Sequence, residues 1–416
     1  MPLEAGDEAS ERANSWRPAM TEALITPELL RWARQRSRLS PDAVAQGAKV
    51  KTDQLIQWER GEARPSFRQA QNLAHTLHVP FGYFFLSSPP DERPALPDLR
   101  TVRHAGFESF SADFLDVLND VLRKQDWYRE YLQEEGRESL SFIGRFSVND
   151  DVEHVASDIS GTLGVGERLR AEASSWEDFL RRFIQRAEAQ GILILRSGVV
   201  GNNPWRKLSV EEFRGFAVSD DLAPLVFLNA RDAKAAQIFT LAHELAHLWL
   251  GESGISNPDL GGPRLGWTER IERFSNAVAA ELLVPQRGFM ASWDRRATIE
   301  ENLKKLVRCY RVSSLVVLRR AYDLRLFPQA EYLKCYQRQL RMEIVARERQ
   351  RRLQEKAGGN FYATLLARNG SQLTRAIVSA AFEGRLLYRD AARLLSVKVK
   401  TLWTIGSELG VCSGMS

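Results

Sequence analysis

Phe239-Thr240-Leu241-Ala242-His243-Glu244-Leu245-Ala246-His247-Leu248 is the stretch from which the rest of the chain is read. The residues leading into it, Asp232 to Ala242, contain neither Pro nor Gly and are strong helix formers, which predicts a helix. Residues four apart on a helix project from one face about a turn apart, so His243 and His247 can share one metal ion. Glu244 is rotated by about 100° from His243, where its carboxylate can reach a metal-bound water without being a ligand. Zinc with an open coordination position brings the pKa of its water towards about 7, and a nearby carboxylate then serves as general base. The alternative is an exposed helix with two surface histidines. It fits poorly with the flanking Phe239, Leu241, Leu245, Leu248, Trp249 and Leu250, because two histidines and a glutamate in a buried helix need a partner.

Catalytic zinc usually takes a third protein ligand. The other histidines, His75, His78, His104 and His154, lie far upstream, so a carboxylate is expected. Glu272 is the choice and Glu269, one turn earlier, the rival. Asn276 falls four residues after Glu272, on the same helix face, and is placed to accept the outer N–H of a ligand histidine. The expected cofactor is Zn2+, with Mn2+ an alternative for the same ligands.

Upstream of this helix, Glu177 to Gln190 reads as an amphipathic helix, and Gly191-Ile192-Leu193-Ile194-Leu195 as a buried strand. Two further strands are expected at Phe213–Val218 and Leu225–Leu228. From Lys234 the pattern is helical almost to the end. The sequence predicts a mainly α fold with a small central sheet (α+β). The expected division is a disordered leader (1–21), a five-helix unit (22–86), a linker (87–107), a helical connector (108–165), the metal-bearing domain (166–330) and a helical C-terminal domain (331–416). Arg, Glu and Gln dominate residues 337–356, which suits an exposed helix. The Phe216–Leu228 region is a candidate sheet edge on which an extended substrate can add as a strand. A plain core strand is the other reading.

Within the N-terminal unit, Ser40-Pro41-Asp42 reads as a helix start, with Ser40 at the N-cap and Pro41 in the first turn. A tight turn near Lys49-Val50-Lys51 leads to a second helix, Thr52 to Arg60, ended by Gly61. Val44, Leu55, Ile56 and Trp58 are expected to form the core between the two. Arg64-Pro65-Ser66 starts the next helix, carrying Leu73, Ala74 and Leu77.

The hydrophobic fraction of 44% and charged fraction of 27% are those of a globular chain with a sizeable core. No run of about 18 apolar residues is present, which argues against a membrane span, and residues 1–8 do not read as a secretory signal. Cys309, Cys335 and Cys412 are scattered without CxxC spacing, as expected of a reducing cytoplasmic location rather than a disulfide framework. The net charge of +5 permits nucleic-acid contact without requiring it.

Two resemblances follow from these residues. Phe239 to Leu248, with Glu272-x-x-x-Asn276-x-x-Ala279-Ala280-Glu281-Leu282-Leu283-Val284-Pro285, resembles the ImmA/IrrE metallopeptidases over roughly residues 170–330. That family cleaves helix-turn-helix repressors or antitoxins. The resemblance implies a zinc endopeptidase with ligands His243, His247 and Glu272 and general base Glu244, and a regulatory protein as substrate. Many members have an acidic residue where this chain has Phe274. The segment Trp58-Glu59-Arg60-Gly61-x-x-Arg64-Pro65 is similar to the Cro/phage-repressor helix-turn-helix, which implies duplex DNA as a partner and Lys51, Thr52, Gln54 and Gln57 as the contacts. Lys49 stands where that turn commonly has Gly, and Asp53 sets a negative charge on the DNA-facing side. The alternative is a helix-turn-helix that recognises a protein.

Tyr388 to Leu402 carries a weaker helix-turn-helix spacing, read as a packing element. The order of helix-turn-helix, protease and tail resembles antitoxins encoded beside nuclease toxins, so a cognate toxin and a second copy of the chain are further candidate partners. Two functions are therefore weighed. One is a regulatory zinc endopeptidase. The other is a transcription regulator or antitoxin of a toxin-antitoxin or stress-response system, whose protease fold serves as sensor.

Overall fold

The computed structural model describes residues 22–91, 96, 110–256, 267–354 and 360–411. The expected leader (1–21), most of the linker (87–107) and Cys412 lie outside them. Contacts divide the chain into two compact units, residues 1–93 and 94–416.

The first unit holds α1 (Pro27–Arg36), α2 (Pro41–Ala48), α3 (Thr52–Arg60), α4 (Phe67–Thr76) and a 3₁₀ turn (Phe81–Phe85). Ser40 caps α2 by accepting from Ala43 N at 3.2 Å, and Pro41 follows in the first turn. The helix ends on Lys49 in the left-handed conformation (φ 58°, ψ 47°), which most L residues avoid. Val50 N then closes the turn on Ala45 O at 2.9 Å. Leu29, Leu30, Ala33, Val44, Leu55, Trp58, Leu73, Leu77 and Phe84 make the core. Ile56 departs from expectation: it is half-buried and outside that cluster, since the face set by Leu55 and Trp58 leaves it on the flank. Glu59 is buried and held by Arg34 at 2.6 and 2.9 Å, tying α3 to α1.

A four-stranded sheet organises the second unit. It comprises β1 (Leu193–Ser197), β2 (Gly215–Val218), β3 (Leu225–Asn229) and β4 (Gly254–Ser256), in the order β1-β3-β2-β4. β1 runs parallel to β3, pairing Leu193 with Leu225, whereas β2 is antiparallel to both β3 and β4. The three expected strands are present. β4 interrupts the stretch read as helical after Lys234, because three residues are too few to show a period. The Phe216–Leu228 region is not an edge. It forms the two central strands, and β4 lies beyond it.

Helices cover both faces of the sheet. The helices described in this unit are α5 (Ala112–Glu134), α6 (Val152–Leu163), α7 (Glu167–Glu172), α8 (Trp176–Ala189), α9 (Lys234–Trp249), α10 (Trp267–Leu283), α11 (Gln286–Ser292), α12 (Ile299–Tyr310) and α13 (Ser314–Asp323), then α14 (Gln329–Gln354), α15 (Phe361–Asn369), α16 (Ser371–Phe382), α17 (Tyr388–Leu394) and α18 (Val399–Glu408). Ile194, Ala217, Val226 and Leu228 face one core, shared with residues of α6, α8, α9, α10, α12 and α13. Leu193, Leu195, Phe216, Val218, Leu225 and Phe227 face another, filled by Phe114 and Leu118 of α5 and by Leu373, Ile377, Leu395 and Leu402 near the C-terminus. The segments 108–165 and 331–416, expected as a connector and a separate domain, therefore lie in one unit with the segment between them. Strands apolar on both faces read as plain runs, which do not disclose what covers the second face. Among the described residues no helix is long and apolar enough to cross a membrane, and Cys309 and Cys335 are free thiols.

Candidate metal centre

α9 lies between the sheet and α6, α8 and α10, and every residue from Gln237 to Trp249 is buried. It starts without a side-chain cap. Gln237 ties this end to the preceding loop by donating from Nε2 to Ala230 O (3.2 Å) and Asp232 O (2.6 Å). At the far end Trp249 donates from Nε1 to Asp158 at 2.8 Å and stacks on Phe142. The helix is thus anchored at both ends, independently of its central residues.

From this frame α9 delivers His243, Glu244 and His247, and α10 delivers Glu272. All four are at most 1% exposed. The two Nε2 atoms are 3.0 Å apart. Glu272 Oε2 lies 3.5 Å from His243 Nε2, and its Oε1 lies 3.2 Å from His247 Nε2. Donors bound to one tetrahedral ion at zinc distances are about 3.3 Å from each other. Two nitrogens and a carboxylate, converging at that spacing without bulk water, fit a divalent metal with zinc's preferences. Glu244 Oε1 and His247 Nδ1 are buried without a hydrogen-bond partner among the described residues, so the cage is not a self-satisfied polar network.

Two carboxylates in one dry pocket are driven apart in acidity. Burial pushes Glu244 well above the usual carboxylate range, and the nearby charge of Glu272 adds to the effect. Burial also acts to raise Glu272, but the two imidazoles outweigh it and hold this carboxyl well below that range. Ser256 Oγ stands 3.4 Å from both Glu244 Oε2 and Glu272 Oε1. With one proton to donate, it serves one carboxylate at a time.

Of the residues singled out in the sequence, His243, Glu244, His247 and Glu272 are brought together. Glu269 is not: its Oε1 accepts from Arg273 at 2.8 Å, and it is outside the cluster of metal-binding type. Asn276 Oδ1 is buried without a hydrogen-bond partner among the described residues, so it accepts from neither histidine. Sequence reasoning missed Ser256 and Gly215. A Cβ at Gly215 would meet Thr240 Cγ2 at 2.7 Å, Phe227 O at 2.9 Å and Glu244 Oε1 at 3.0 Å. A glycine inside a strand is the signal that could have found this close approach.

In the first unit Lys51, Gln54 and Gln57 are exposed and Thr52 is half-buried. Two of the four have local partners: Gln54 Oε1 accepts from Lys51 N at 3.2 Å, and Thr52 Oγ1 donates to Asp42 at 2.8 Å.

Comparison with known families assigns the segments. Residues 187–322 match the IrrE N-terminal-like domain of a peptidase family, and residues 28–81 match a helix-turn-helix domain, in the order expected. Residues 369–408 match a domain of unknown function, DUF8813. None of the curated proteins searched matches the chain.

Proposed function

We propose that the chain is a zinc-dependent endopeptidase that cleaves one regulatory protein, a repressor or antitoxin, and reaches its place of action through the N-terminal helix-turn-helix. The observation that carries this reading is the convergence of His243, His247 and Glu272 with Glu244 beside them, at 3.0–3.5 Å between ligand atoms and out of water.

His243, His247 and Glu272 would hold the ion. When bound, Zn2+ would acidify its water and polarise the scissile carbonyl. Glu244 would take the proton from the water as it attacks and return it to the leaving amine, a role that suits a carboxyl whose pocket raises its proton affinity. Ser256 would steady whichever carboxylate is charged. β4, which pairs with β2 along one side, is the strand on which an extended substrate would add by backbone pairing. The helix-turn-helix match supports duplex DNA as a partner of the first unit.

The second reading is a regulator or antitoxin whose protease fold senses or binds and does not cut. It draws on the same helix-turn-helix. Glu244 separates the two, since a binding module has no use for a general base in a buried pocket. The test is Glu244→Gln with metal content measured in parallel. Lost cleavage or lost regulation with zinc retained supports the peptidase. Unchanged regulation with zinc retained overturns it in favour of the sensor.

A further inference from the structure

The segment formed by α17, its turn and α18 reproduces the turn of the N-terminal helix-turn-helix position by position. In each, the first helix is followed by a left-handed residue, Lys49 (φ 58°) or Ser396 (φ 54°). A valine comes next and bonds back five residues: Val50 N to Ala45 O at 2.9 Å, and Val397 N to Ala392 O at 2.8 Å. A lysine, Lys51 or Lys398, then stands at the N-cap of the second helix. Burial keeps the same register. Val44, Ala45, Ala48, Leu55 and Trp58 in the first module correspond to Ala391, Ala392, Leu395, Leu402 and Ile405 in the second, all buried.

The turn alone does not make a binding module. α12 and α13 are joined through Arg311 (φ 56°), Val312 and Ser313, yet Val316, Val317 and Leu318 of α13 sink into the core. The outward surface of α18 is different. Lys398, Val399, Lys400, Trp403 and Thr404 are exposed, as are Arg389 and Arg393 on α17. The acids on α17 and α18 themselves are Asp390, 3.5 Å from Arg389, and Glu408 at the far end of α18; Glu383, next to Phe382, pairs with Arg385. The first two turns of α18 therefore carry charge of one sign, at a helix end whose dipole also favours anions. In the shared register Lys400 occupies the place of Asp53, which in the first module opposes phosphate. Trp403, 51% exposed, stacks on Tyr388 at 5.8 Å and meets Phe382 edge-on at 4.9 Å, so its indole is held in place while facing solvent.

We propose that α17 and α18 form a second helix-turn-helix that binds duplex DNA, with Lys398 and Lys400 on phosphates and Trp403 against the groove wall. Two lysines, five and three residues ahead of the aromatic, favour a polyanion over a protein, because lysine is depleted from the centres of protein–protein interfaces. The chain then carries two DNA-binding surfaces, one in each compact unit, and the second is the more basic along its recognition helix.

Fluorescence anisotropy of the full-length chain tests this with a labelled mixed-sequence duplex of about 30 base pairs, titrated across salt concentrations. Lys398→Ala/Lys400→Ala is compared with its parent in the wild-type chain and in a Lys51→Ala/Gln57→Ala background, which weakens the first module. The substituted lysines are exposed, and unchanged thermal melting confirms the fold. Losing two phosphate contacts lowers the slope of log K against log salt by roughly 2, and affinity near 0.1 M salt by about tenfold or more, in both backgrounds. Affinity and slope equal to the parent's in both backgrounds overturn the proposal. So does a Trp403→Ala chain that changes oligomeric mass in light scattering while binding DNA normally, which makes the face an interface between copies. None of these readouts depends on peptidase activity, so the proposal and the peptidase reading fail separately.

Discussion

Gly215 of β2 and Glu244 of α9 approach so closely that a single added Cβ on the glycine would stand 3.0 Å from the glutamate's Oε1. The strand is thus a wall against which the proposed base is positioned. The same Cβ would press on Phe227 O at 2.9 Å, a backbone atom that cannot swing aside. Gly215→Ala is expected to destabilise the second unit by about 1–3 kcal/mol and to displace the Glu244 carboxylate. Thermal melting reads the first effect. Cleavage rate per bound zinc reads the second, and an unchanged rate would show that the wall does not set the position of the base.

Metal content is the next test. His243→Ala and Glu272→Ala are expected to lose zinc, and Glu269→Ala to keep about one ion per chain, because Glu269 is engaged by Arg273. Mass spectrometry of the purified variants decides it. Zinc retained by Glu272→Ala and lost by Glu269→Ala would reverse the assignment.

Arg34 and Glu59 join α1 to α3 through a two-pronged contact at 2.6 and 2.9 Å. Glu59→Ala strands Arg34 and also removes a buried side chain. It is expected to lower the stability of the first unit by about 2 kcal/mol, below the figure for a fully buried pair because Arg34 stays partly in water. Denaturant unfolding of the chain measures it. Midpoints within error of the parent would show the pair contributes nothing.

Asp178 supplies a pH dependence. Its carboxylate accepts from Ser174 N at 3.0 Å and from Arg181 and Arg182, the backbone contact first in weight, and these hold its pKa down to about 2. A folded-state pKa below the unfolded one contributes stability above the unfolded value, and loses it as pH falls through the folded one. The contribution of Asp178 is therefore expected to be complete above about pH 4 and to fade towards pH 2. Asp178→Asn should flatten this part of the stability profile; a profile parallel to the parent's would refute the coupling.

The residues of α9 were legible because a metal site on a helix needs only a spacing and an apolar setting, and both are local. The choice between Glu269 and Glu272 was not local. They sit a turn apart on α10, and only the packing of α10 against α9 turns Glu272 inwards. Ser256 escaped notice because β4 is three residues long and takes its conformation from β2. The helix-turn-helix was legible from its caps and its turn, down to a lysine in a glycine's place. Ile56 misled because an apolar residue beside Leu55 reads as core until the helix is rotated into position. The helix-turn-helix spacing of Tyr388 to Leu402 was visible, and it was read as a packing element. Its exposed basic face was hidden, since burial of Ala391, Leu395 and Leu402 depends on how α16, α17 and α18 pack.

The two-sided sheet has an engineering consequence. Leu193, Leu195, Phe216, Leu225 and Phe227 are buried on the face opposite α9 by α5 and the helices after residue 360. Each such side chain is worth about 1.5–3 kcal/mol on leaving water. A fragment trimmed to the peptidase-like match, residues 187–322, would lay this face bare and would be expected to aggregate. Soluble expression of the candidate metal centre needs a cut site upstream of α5 and an intact tail, and any proteolytic nick that releases the tail is expected to disturb the centre without touching His243, His247 or Glu272.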